Sequence, residues 1–450
     1  MQSYQNTMLS KGRIALFFAV LLAYAAVLNS VTALYVPDKI GSLFKGNATK
    51  MSIITGFGSF IQGAAVIAAL LSDRSQHSLG RRRPFIAAGA CAAAFGLLLL
   101  SVLESSFFKS LFILQVLFVS GYYLATAGAA CCQMLATALL ADLVPEKQSG
   151  IASGFIALYM VLGSALGYLS FAIQLSLSVI FPVFLCLLII TACLTLFSAN
   201  ETPYKRKEGE SGDFFVLLNE LKFDTKIHSN FLYLQIGKFI LWISLGCQMF
   251  FQFFLRDKLQ VADPMSEMAK IALGILASSL VISIPAGVLC DKVDKKKILL
   301  SGVVLLILAM IVLILSTNVI HLYLMGILFA AGQSLLQPAD MSLCVQVIPN
   351  KSKSGSYLSL SALLIVVGMS VGVFLLGNVL SIFKDGPETA GIQKYTVFGY
   401  NFVFGFSIFF MVTSLFLYSK IDVVTEKKCE LSGSNSKSAS EELLIIADQV

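Results

Sequence analysis

Charge is what this sequence has least of. Asp, Glu, Lys and Arg make up 13% of its 450 residues, where a water-soluble chain of this size carries about a quarter. With 57% hydrophobic residues and a mean hydropathy of +0.85, a water-soluble globular protein is excluded. Histidine is down to three residues and the nine cysteines show no metal-ligand spacing, so neither a metal nor another cofactor is expected. Eight cysteines fall in or at the ends of apolar runs and Cys429 falls in a polar tail, which argues against disulfides; Cys131 and Cys132 read as small packing residues. No P-loop is present to hold nucleotide phosphates. No nucleophile stands with a base, so an ATP-driven pump and an enzyme both lack support.

What the sequence has instead is long apolar runs. A membrane-crossing helix needs about 20 apolar residues. About twelve such runs occur, near 14–36, 51–71, 84–103, 111–141, 150–173, 178–198, 230–255, 268–290, 298–316, 319–348, 355–380 and 397–419. The expected protein is an all-α polytopic membrane protein in a lipid bilayer. An even number of spans puts both termini on one side. With that side cytoplasmic, its segments hold 22 Lys and Arg against 9 in the outer loops, the asymmetry basic residues show across membranes. The net charge of +7 is then a topology signal, and no nucleic-acid partner is implied. Val31–Ala33 could pass for a signal-peptidase site, but the length of the first run and the need for an even set favour a retained span. Asn47-Ala48-Thr49 is a glycosylation sequon, and this topology places it outside, between the first two spans.

The charges that do occur are placed unevenly. Arg74, Arg81, Arg82 and Arg83 fall within ten positions in the stretch Ser72–Ile86, between the second and third runs. An echo, Gly287-Val288-Leu289-Cys290-Asp291-Lys292-Val293-Asp294-Lys295, follows Asp73 by 218 positions. Three glycine pairs (150 and 355, 163 and 368, 167 and 372) share one offset of 205, so the chain reads as an internal duplication. Gly163 with Gly167, and Gly368 with Gly372, leave smooth faces for close helix approach. Such faces suit static packing, and they also suit sliding between the halves. The organisation expected is an N-terminal six-helix bundle over 1–198, a linker over 199–229, a C-terminal six-helix bundle over 230–420 and a disordered tail over 421–450.

Polar groups inside the spans point to a solute path, because a charge in the bilayer costs several kcal/mol, roughly 3 on conservative scales. Asp340 lies deep in the tenth run, beside Gln333 and Gln337 and after Pro338, which removes a backbone donor. It is read as a proton-coupling carboxylate, or as a structural one bonded to freed backbone or to a lysine. Lys238 in the seventh run is expected to snorkel to the cytoplasmic surface, with a counter-charge or solute-donor role as the alternative. Gln235 and Gln248 share its run; Tyr122, Tyr123 and Gln133 in the fourth run are further solute-site candidates. Asp73 can meet a neighbouring helix terminus or the hinge arginines and so latch the halves on the cytoplasmic side. Gly80, Asp142, Gly287, Asp291, Lys292 and Lys295 complete the expected gating set.

The Asp73-Arg74…Gly80-Arg81-Arg82 spelling resembles the loop between helices 2 and 3 of major facilitator transporters. That resemblance implies two pseudo-symmetric six-helix bundles (the major facilitator fold) and a central solute site. The full hinge through Pro84, Phe85 and Ile86, with Ala138–Pro145, Gln148 and Gly150, resembles the sucrose-type transporters and their bacterial relatives, close to the glycoside–pentoside–hexuronide:cation symporters. That branch implies proton-coupled uptake of a glycoside. The chain departs from it at Ala69, where the hinge's first glycine belongs, and at Thr126 and Thr137, where plant sucrose carriers place an Asp and an Arg. The expected function is secondary transport of a small polar solute, a sugar or glycoside, with proton symport, by a monomer. Export of amphipathic compounds and a non-transporting receptor or scaffold are the alternatives.

Overall fold

A computed structural model gives the structure of residues 9–73, 75, 77–105, 108–145, 148–199, 201, 228–349, 354–386 and 392–422. Arg74 and most of the expected linker and tail lie outside the described residues, as do the side chains of Asp73 and Asp291. Among the described residues, twelve helices are long and apolar enough to cross a membrane. They are α1 (Lys11–Leu43), α2 (Ala48–Ala69), α3 (Arg83–Glu104), α4 (Leu111–Leu140), α5 (Ser149–Ala172), α6 (Leu177–Ser198), α7 (Ser229–Asp257), α8 (Pro264–Cys290), α9 (Lys295–Leu315), α10 (Val319–Val347), α11 (Tyr357–Ile382) and α12 (Val397–Ser419). No sheet occurs among the described residues, only an isolated bridge between Lys384 and Tyr395. Helices are what such runs must form, since lipid offers no partner to an open backbone N–H or C=O.

The packing repeats as the glycine offsets do. The pairs α1–α5, α1–α6, α3–α4 and α3–α6 reappear as α7–α11, α7–α12, α9–α10 and α9–α12. The two six-helix bundles meet where α2 packs on α11 and α5 on α8. The glycine faces are spent inside each bundle and not between them. A Cβ on Gly167 would stand 2.6 Å from the Ala26 carbonyl of α1, and one on Gly368 would stand 2.8 Å from the Phe239 carbonyl of α7. Of the two roles these faces suit, the contacts here are those of close packing within each bundle.

Three helices break where they approach the centre. α1 carries a π turn over Val31–Tyr35, α2 is interrupted at Gly63, and α7 tightens to a 3-10 turn over Gly246–Phe250. Helices 1 and 7 hold corresponding places in the two bundles, and paired interruptions of this kind mark solute sites in carriers built from repeats. In α1 the cause is legible. Pro37 has no N–H for the Ala33 carbonyl one turn back, and the Gln252 amide of α7 donates to Ala33 O at 3.4 Å and to Leu34 O at 2.8 Å.

The hydrogen bonds that join the bundles among the described residues gather at one end, near residues 33–48, 172–174, 252–266 and 392–396. This is called the strap end below, after residues 392–396. The opposite end carries residues 75–82 and 292–294 and is called the hinge end.

Candidate functional site

A cavity with two lobes lies between the bundles. The lobe toward the hinge end holds about 720 Å³ and is lined by Tyr24, Ser59, Gln62, Gln133 and Asp340, with aliphatic residues of α11. The lobe toward the strap end holds about 410 Å³ and is walled by Met268, Ile275, Met325 and Phe329, with Gln333 at its edge. Asn29, Tyr168, Trp242, Gln248, Met249 and Gln337 border both and form the waist. Cavities of a few hundred Å³, largely apolar with a few converging polar groups, are the usual form of small-molecule sites.

Among the described residues, one ion pair stands at this cavity, and it ties three helices of the second bundle. Lys238 Nζ of α7 lies 2.8 Å from Asp340 Oδ2 of α10 and donates to Ser361 Oγ of α11 at 2.5 Å. The lysine is 4% exposed, so the expected snorkelling is corrected: a carboxylate within reach satisfies the ammonium better than a detour to the surface. Asp340 Oδ1 has no hydrogen-bond partner, nor have Gln333 Oε1 and Gln235 Oε1. Gln235 sits one turn before Lys238 and donates to Cys344 Sγ at 3.6 Å, behind the cavity wall. A buried pair that leaves one carboxylate oxygen unsatisfied is costly to keep and sensitive to what arrives beside it.

Of the other sequence candidates, Gln133, Gln248, Gln333 and Gln337 reach the cavity. Tyr122 and Tyr123 do not border it. Tyr122 is fully buried against α2, where a Cβ on Gly58 would stand 2.6 Å from its hydroxyl, and it stacks on Phe118. Tyr123 packs on Tyr122 and Phe57. Asn29 and Trp242 line both lobes and were not singled out from the sequence; Asn29 is the one amide of the first apolar run and Trp242 the one tryptophan of the chain, the signal that could have found them.

At the hinge, Arg81 and Arg82 both pair with Asp142 at the end of α4. Glu201, just past α6, accepts from the backbone N–H of Arg82 at 2.7 Å and of Arg83 at 3.2 Å, at the start of α3. A carboxylate is favoured at that helix end. Gly80 makes this approach: its φ is +107°, and a Cβ there would stand 2.6 Å from Glu201 Oε2. The described contacts of the expected latch thus hold the first bundle together instead of crossing to the second. In the echo, Lys292 is exposed, Asp294 caps α9 through Lys296 N–H at 3.0 Å, and Gly287 faces open space. Lys295 is half-buried in the first turn of α9.

Among the described residues, the hydrogen bonds that cross between the bundles belong to the strap end, which sequence reasoning counted only as outer-loop charge. Asp257 accepts from Arg256 Nε at 2.7 Å and Nη2 at 3.1 Å, from the Tyr400 hydroxyl at 2.6 Å and from Tyr395 N–H at 3.2 Å. Arg256 also donates to Gln393 O at 2.9 Å. The strap so held reaches the first bundle: Gln393 N–H donates to Lys45 O at 2.8 Å, and the Tyr395 hydroxyl accepts from Ala48 N–H at 2.6 Å and donates to Gly46 O at 3.2 Å. Burial raises the Tyr395 pKa, so the phenol keeps the proton it donates. Asn47, the sequon residue, lies in this seam and caps α2 by accepting from Lys50 N–H at 3.1 Å.

The sequence matches the family model of the Major Facilitator Superfamily over residues 16–373 and over 236–445. No curated protein matches it. Among solved structures, a mutant of the nucleoside transporter NupG has 12% sequence identity and a TM-score of 0.68, covering 91% of this chain and 99% of that one. A POT family transporter in complex with 5-aminolevulinic acid has 15% identity and a TM-score of 0.67, covering 93% and 98%. A bacterial homologue of the human lysosomal transporter Spinster, inward-facing and unoccupied, has 14% identity and a TM-score of 0.64, covering 95% and 98%. At these identities the likeness is one of fold. With the family match over most of the chain, twelve spans and a cavity between two bundles, the chain belongs to the Major Facilitator Superfamily and is a multi-pass membrane transporter.

Proposed function

We propose that the carrier moves a small hydroxyl-rich solute, a sugar or glycoside, by alternating access, with a proton as the coupling ion. The observation that carries this reading is the buried Lys238–Asp340 pair at a cavity where amides, hydroxyls and rings converge among aliphatic and thioether side chains. Gln62, Gln133, Gln248 and Gln337 offer both donors and acceptors to hydroxyl groups. Trp242 offers a face for a sugar ring. Protonation of Asp340 would release Lys238, so solute and proton would act on one element. The resemblance of the Ser72–Ile86 hinge to that of sucrose-type carriers supports the same class. The strap side is the outer one in this reading, both termini and the hinge are cytoplasmic, and the state described is inward-open.

The test is uptake by protein reconstituted in liposomes under an imposed pH gradient. Wild type concentrates a labelled sugar, whereas Asp340→Asn equilibrates it without accumulation. An Asp340→Asn protein that still concentrates its solute overturns proton coupling through this residue. The strap-side lobe, with its methionines and rings, favours a second reading, export of amphipathic compounds. Transport of a broad panel of hydrophobic cations with sugars inert would establish it.

A further inference from the structure

Three polar side chains lead along α7 from the cavity to the strap, each about one helical turn after the last. Gln248 borders both lobes of the cavity. Arg256 donates to the Gln393 carbonyl of the strap at 2.9 Å. Between them Gln252, only 4% exposed, turns to the first bundle. Its amide donates to Leu34 O at 2.8 Å and to Ala33 O at 3.4 Å. Only the NH₂ end of a glutamine can serve two carbonyls at once.

Those carbonyls belong to the π turn of α1, and Pro37 leaves Ala33 O without its usual helical donor. Ala33 also borders both lobes, so the place that Gln252 fills adjoins the solute path. When α7 draws away from α1 to open the strap end, the amide must leave with it. Two carbonyls are then left beside the cavity, where a polar group without a partner is costly. A carbonyl accepts from O–H or N–H and gains nothing from a carboxylate or phosphate. The group that Gln252 places there now is a neutral amide.

We propose that the Ala33 and Leu34 carbonyls are a docking site used in turn by Gln252 and by the solute. Gln252 fills it while the strap end is closed. A neutral hydroxyl or amide group of the solute fills it while that end is open. Closure of the strap end then displaces the solute from this site into the rest of the cavity.

The test uses the full chain in lipid nanodiscs, with spin labels at the exposed Lys50 and Lys394 to report the strap end. Gln252→Ala should raise the population with the labels apart roughly tenfold. Acetamide, the fragment this substitution removes, should restore the wild-type distance. Acetone has the same shape and no N–H, and should not. Unmoved labels in Gln252→Ala overturn the proposal, as does closure by acetone as readily as by acetamide. If the alanine variant does not fold, Gln252→Leu keeps the bulk without the donor: labels apart support the site, and labels unmoved overturn it. Methyl glucoside should compete with acetamide and hold the labels apart, an arm that alone rests on the sugar reading above. Closure by acetamide with no competition from the glucoside leaves the docking site standing and overturns the sugar reading.

Discussion

The two ends of the molecule are held by different means. At the strap end, residues of one bundle bond to backbone of the other: Tyr395 to Gly46 and Ala48, Gln393 to Lys45, Gln252 to Leu34. At the hinge end, the described polar contacts stay within a bundle. Asp142 holds Arg81 and Arg82, Gln148 exchanges two bonds with Leu9 at 2.9 Å each, and Asn230 exchanges two with Asp422 at 2.8 Å each. Bonds to backbone are worth about 0.5–1.5 kcal/mol each, so a handful close an end without locking it. The charged bonds stiffen loops that must move as units. Among the described residues, no ion pair crosses at the strap end: the crossing bonds run to backbone or, from Gln174, to the Asp263 carboxylate at 2.8 Å, and the Arg256–Asp257 pair stands behind them.

The largest expected effect comes from removing the support of the strap. Asp257→Ala strands Arg256, frees the Tyr395 and Tyr400 donors, and should cost about 3 kcal/mol. Thermal unfolding measures the cost, and spin labels placed at the exposed Lys50 and Lys394 should move apart. An unchanged label distance would show that the strap holds itself. At the other end, Asp142→Asn loses charge-assisted bonds worth about 2 kcal/mol and should expose the hinge to proteolysis. The same label pair should not respond, and a shift there would mean that the two ends are coupled in this state. Tyr395→Phe removes one hydroxyl with two crossing bonds; a loss of about 1 kcal/mol should appear as a minor open population. Lys292→Ala should change stability by less than about 0.5 kcal/mol, and a larger loss would reveal that the echo hinge carries a load its exposure does not show.

Much of the architecture could be read from the chain because lipid makes the rules strict. Apolar length sets the spans, the glycine offset of 205 marks the repeat, and the depth of Asp340 singles it out. What was misread depended on partners far along the chain. Lys238 has a stem long enough to reach the surface, and nothing within its own helix reveals a carboxylate 102 positions later. Glycine spacing says that a helix approaches closely but not which one, so α1 and α7 could not be named as the packing partners. Tyr122 and Tyr123 have the polarity of site residues, yet Gly58 opens a slot that takes Tyr122 into the bundle. The strap is five residues between two helices, with no local pattern to show that its carbonyls and hydroxyl meet the opposite bundle.

The placement of Lys238 and Asp340 has an electrical consequence. Both belong to the second bundle and together sum to zero, so reorientation of the empty carrier with the pair intact moves no net charge at the cavity. A transmembrane potential acts on a full elementary charge with about 2.3 kcal/mol per 100 mV, and here it has none to pull. In a proton-coupled cycle, with a neutral solute and Asp340 protonated, the loaded carrier bears one positive charge, that of Lys238. Voltage would then drive the loaded half of the cycle alone, and the empty return would set a ceiling on turnover that no membrane potential can raise.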